Sequence, residues 1–101
     1  MPGQIDPYRF HYETVAASQT GQVIGGTGAK GDYVHRLVVS VAIAASGTVT
    51  LIDGSTSIVI TAANTPIGVY IVDLGINSLT GAWSITTGAG ATVIAVGIFS
   101  A

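Results

Sequence analysis

From Asp32 onward, short runs rich in Val, Ile and Thr recur at near-even spacing, each closed by Gly, Pro, Asn or Asp. That punctuation constrains the fold more than any other feature of the chain. β-Branched side chains suit a pleated surface, and turn residues at this interval belong to an all-β sandwich or barrel. The runs predict strands over residues 33–44, 48–52, 56–61, 67–74, 82–87 and 92–99. Asp53-Gly54, between TVTLI and STSIVIT, predicts a tight hairpin, because both residues tolerate the positive φ of primed turns. AANTP, GINSLTG and TGAGA supply the later breaks. No segment carries a sustained helical period with caps. Partial alternation over 9–17 and a short apolar stretch over 22–24 bring the total to about seven or eight strands. The expected fold is all-β: a jelly-roll-like β-sandwich of short antiparallel strands.

The N-terminal end reads differently. Pro2, Gly3 and Pro7 discourage a helix, and residues 1–17 are expected to form an extended arm leading into the first strand, with the sandwich over 18–101. Ile5, Tyr8, Phe10 and Tyr12 are large apolar groups in a stretch with little local structure to bury them. An arm of this kind gains order by lying on a neighbour, so these four residues are the candidates for contact with a partner surface. The opening MPGQIDPYRF has neither the basic nor the apolar segment of a secretory signal.

Composition matters once the strand faces are compared. A half-solvated strand alternates apolar and polar residues. In 92–99 one face carries Ile94, Val96 and Ile98, and the other Val93, Ala95, Gly97 and Phe99. In 69–74 one face has Tyr70, Val72 and Leu74, and the other Val69, Ile71 and Asp73. Neither strand has a wet side. Charged residues make up 8% of the chain, against about 25% in ordinary soluble domains. A surface so poor in charge is expected to be covered by other protein, since obligate interfaces resemble a core cut in half. The subunit-interface candidates are Val69, Ile71, Trp83, Ile94, Val96 and Ile98, and the expected state is a homo-oligomer.

Residues able to do chemistry are few. Gly26, Gly28 and Gly31 match G-x-G-x-x-G, but the loop leads into the β-branched run YVHRLVVSV rather than a helix. A pyrophosphate site needs that helix N-terminus, so the glycines read as loop geometry. Lys30 is followed by Gly31, not by the Ser or Thr of a phosphate loop. His35 and Asp32 fall on opposite faces of a regular strand, and His35 on the face of Leu37, Val39 and Val41, at the mouth of the core. His11 and Glu13 share a face, and with His35 they would form a metal set only if their strands were neighbours. Asp53 is accounted for by its turn, Asp73 has no evident partner, and KGD at 30–32 reads as a loop tripeptide. With no cysteine in the chain there is no thiolate chemistry. No catalytic, metal or cofactor site is expected, and the chain reads as a non-enzyme. Three basic residues and a net charge of −2 give no footprint for nucleic acid, and the apolar runs are too short for a bilayer.

The segments GAKGDYVHRLVVSV, VTLIDGSTSIVI and LTGAWSITTGAGATVIAVGIF together resemble the small all-β head decoration, or cement, proteins of tailed bacteriophages. The resemblance spans roughly residues 26–99 and is one of pattern. It implies a β-sandwich protomer, a trimer in preference to a dimer, made in the host cytoplasm and carried on the outer surface of the phage head. There it would clamp neighbouring copies of the major capsid protein. Its alternative is a receptor- or carbohydrate-binding β-sandwich module of a tail, neck or fibre, for which Trp83 would be the stacking platform.

Overall fold

In the computed structural model, residues 10–25 and 28–100 are described, and among them there is no helix. Eight strands follow in order: β1 (His11–Val15), β2 (Gln22–Val23), β3 (Tyr33–Val41), β4 (Val49–Asp53), β5 (Thr56–Thr61), β6 (Gly68–Asn77), β7 (Trp83–Thr86) and β8 (Ala91–Ile98). They form two four-stranded sheets, one in the order β1-β8-β3-β6 and the other β2-β7-β4-β5. Every pairing is antiparallel. Only the β4–β5 hairpin stays within a sheet; each other connection passes from one sheet to the other.

Both sheets bury one face in a shared core. Val15, Val34, Leu37, Val39, Val41, Ala91, Val93 and Ala95 come from the first sheet. Val49, Leu51, Trp83 and Ile85 come from the second, with Ile24 just past β2. Each buried Val, Leu or Ile side chain among them, taken from water, contributes about 1.5–3 kcal/mol. Burial alternates along β4, β7 and β8, one side of each strand facing the core.

The structure corrects the sequence reading in three places. β6 runs on to Asn77, past the expected end at 74, because Gly75 adopts φ +66° and the strand resumes beyond it. Val34 pairs Ile76 while Arg36 pairs Asp73, so β6 holds one residue more than β3 there. On the other side Val34 pairs Gly97 and Arg36 pairs Val96, which makes His35 the extra residue of β3. A bulge shifts every later side chain to the opposite face. His35 is therefore on the outer side, and Val34 takes the inward position that simple alternation gives to His35.

The second correction is the hairpin. Asp53 is a strand residue paired with Thr56, and the turn itself is Gly54-Ser55, with Gly54 at φ +57°. The third is the end of β3 at Val41, where the backbone N–H of Ala42 turns to donate to Gly90 O. Residues 1–9, with Ile5 and Tyr8 of the expected arm, lie outside the described residues, as does Gly26 of the glycine-rich loop.

Candidate functional site

The outer face of the β1-β8-β3-β6 sheet gathers several apolar residues that lie outside the core. Register sets them in rows. One row crosses the whole sheet as Thr14, Ile94, Val38 and Ile71. The next is Tyr12, Val96, Arg36 and Asp73. Beyond Ile71, Val69 and Thr92 flank Ser40. Val69 and Ile71 are 66% and 62% exposed, and Tyr12 is 74% exposed. Among the described residues the face carries a single ion pair, in which Arg36 Nε donates to Asp73 Oδ1 at 2.6 Å. Asp73 thus has the partner that the sequence did not reveal, directly across the ladder.

Five of the six residues expected at a subunit interface come together here: Val69, Ile71, Ile94, Val96 and Ile98. Trp83 does not. It is 1% exposed, on the inner side of β7, and its Nε1–H donates to Asp32 O at 2.8 Å. The indole fills the core and finds its one hydrogen bond there, so Trp83 neither meets a partner subunit nor stacks on a sugar. Val38 and Arg36 also belong to the face, opposite Leu37 and Val39 on β3.

At one end of the face sits an aromatic group. Phe10 reaches over β8 and stacks on the His35 ring, centroids 4.5 Å apart and 25° between planes. Tyr33 lies 6.0 Å from Phe10 and its hydroxyl is 3.2 Å from His35 Nδ1. Phe10 and Tyr12 are thus on the same side of the molecule as the apolar rows.

The outer face of the other sheet differs in kind. Its rows are Val23, Ser84, Ile52 and Ser57, then Thr86, Thr50 and Val59. Hydroxyl groups separate the aliphatic ones, and among the described residues these rows hold no charge.

The remaining acidic groups hold loops. Asp32 is buried; its carboxylate accepts from Ala29 N, Ser100 N and Ser100 Oγ at 3.2, 2.9 and 2.7 Å. This ties the glycine-rich loop to the C-terminal end, and of the KGD tripeptide Asp32 is turned inward while Lys30 and Gly31 stay exposed. Glu13 accepts from Gly25 N at 2.9 Å. Asp53 accepts from the N–H groups of Leu79, Thr80 and Gly81 at 2.8–3.1 Å and from Thr80 Oγ1 at 3.2 Å. Its carboxyl is held below the usual value, chiefly by the Leu79 N–H, with partial desolvation opposing. Among the described residues no three His, Cys, Asp or Glu side chains are grouped to hold a metal ion. Nor is any helix long and apolar enough to cross a membrane.

No family model, curated protein or solved structure matches the chain.

Proposed function

We propose that this chain is a non-enzymatic structural protein of a phage virion: a decoration, or cement, protein that self-associates and clamps neighbouring major capsid subunits on the outside of the head. The observation that carries the reading is the outer face of the β1-β8-β3-β6 sheet, where Ile94, Val38, Ile71, Val96 and Val69 lie side by side and, among the described residues, one ion pair carries the charge. A contiguous exposed aliphatic patch of that kind calls for a protein cover, because water gains little by hydrating it. We also read the two sheets as a jelly-roll sandwich. Support comes from the strand order, in which successive connections swap sheets and each sheet interleaves early and late strands. Attachment then requires only an ordinary interface of about 1,600 Å², repeated over the shell for avidity.

The test is co-sedimentation of the purified protein with expanded shells that lack it. The reading expects saturation at a fixed ratio to the major capsid protein, and shells that survive more heat or chelation when coated. Failure to sediment with the shells at any concentration up to tens of micromolar contradicts it.

The aromatic group at Phe10, Tyr33 and His35 favours a second reading, a receptor- or carbohydrate-binding module of a tail, neck or fibre. Rings near the surface can stack on sugar. That reading expects saturable glycan binding that Phe10→Ala abolishes.

A further inference from the structure

We propose that the outer face of the β1-β8-β3-β6 sheet is the joint between two copies of this chain, sheet against sheet, with the hydroxyl-rich outer face of the other sheet turned away from the joint. The inference rests on the reading above in one respect, that the chain works as an assembly of copies.

Three observations choose a second copy as the occupant. The first is charge. Among the described residues the face holds one cation and one anion, Arg36 and Asp73, bonded to each other. Two copies of a neutral face do not repel, although the whole chain carries −2. In a two-fold arrangement each Arg36–Asp73 dipole can lie against its reversed copy, so the pair keeps opposite-sign neighbours when water leaves. A partner chosen by charge would instead meet an excess of one sign. The second observation is area. Four strands spaced about 4.8 Å, each rising about 3.3 Å per residue along most of β3 and β8, present roughly 500 Å² per copy. Two such faces reach the roughly 1,000 Å² that separates a biological interface from chance contact. The third is the contrast between the sheets. Ile94, Val38 and Ile71 make an unbroken aliphatic row on one face, whereas Ser84 and Thr86 interrupt the other. Aliphatic rows pack as sheets do in a sandwich core, about 10 Å apart; hydroxyl rows stay hydrated at little cost.

A patch that meets its own copy closes as a two-fold dimer. The unit is thus a dimer, where the resemblance to decoration proteins gave preference to a trimer.

Analytical ultracentrifugation of the full chain and three variants tests the joint. Val69, Ile71 and Val59 are all more than three-fifths exposed, so charged substitutions there leave the fold intact, checked by far-ultraviolet dichroism and melting. Wild type is expected to sediment as a dimer. Ile71→Asp and Val69→Lys, of opposite sign, should each weaken association about 30-fold or more, because each puts an unpaired charge into the closed joint. Val59→Asp, on the other sheet, should leave the dimer unchanged. A monomeric wild type, or a dimer lost to Val59→Asp and untouched by Ile71→Asp, overturns the proposal. A wild-type dimer that ignores the empty shells keeps the joint while removing the decoration reading, so the two fail separately.

Discussion

Asp53 shows how much of this molecule is held by single carboxylates. Its oxygens gather three backbone N–H groups and one hydroxyl from residues 79–81, a loop more than two dozen positions away. Gly54 lies so close to Thr80 that a Cβ there would collide with it. The ionised form is the one these donors favour, so the folded-state value lies below the unfolded one. The stability it contributes is complete above the unfolded value near pH 3.9 and is lost as pH falls through the lower, folded value. Asp53→Asn should therefore lower the melting temperature at neutral pH and flatten the loss of stability below about pH 4. Melting curves from pH 7 to 2.5 check both; a variant with the wild-type slope would refute the assignment. Trp83 gives a second test at this scale. Trp83→Phe removes the bond to Asp32 O, which still accepts from Ser78 N, so the cost should stay near 1–2 kcal/mol. Trp83→Ala should cost about 3–5 kcal/mol by leaving a cavity. Denaturant titration at one fixed protein concentration separates them.

At the scale of elements, the paired bulges decide which residues face outward. Gly75, at φ +66°, lets β6 gain a residue against β3, and His35 is gained by β3 against β8. A Cβ at Gly75 would meet only the Tyr33 hydroxyl at 3.5 Å, so space is not the obstacle. The cost of Gly75→Ala is then the left-handed backbone, roughly 1–2 kcal/mol, less about 0.4–1 regained from a stiffer unfolded chain. A net loss near 1 kcal/mol, a melting shift of about 4–8 °C, is expected. The strands themselves were legible in the sequence. β5 was placed to the residue, and the others to within a few positions, because Val–Ile–Thr runs and glycine turns are local signals. The bulges were not legible. They depend on how two neighbouring strands divide one register, and His35 was put on the wrong face for that reason. Trp83 was misplaced for a related one: an indole in a short strand reads the same whether its partner is Asp32 O or solvent.

For the whole molecule, the low charge and the two-sided strands pointed to a covered surface, and the fold brings Val69, Ile71, Ile94, Val96 and Ile98 onto one sheet. The Arg36–Asp73 pair could not be read from the sequence, since its partners are 37 positions apart. What the face meets decides whether this is a protein of an assembly at all. The most direct measurement is the molar mass of the purified chain by light scattering, across a dilution series from about 100 to 1 μM. The account predicts a multiple of the 10.1 kDa chain at the upper end, falling on dilution or under Ile71→Asp. A mass of one chain throughout the series would contradict it.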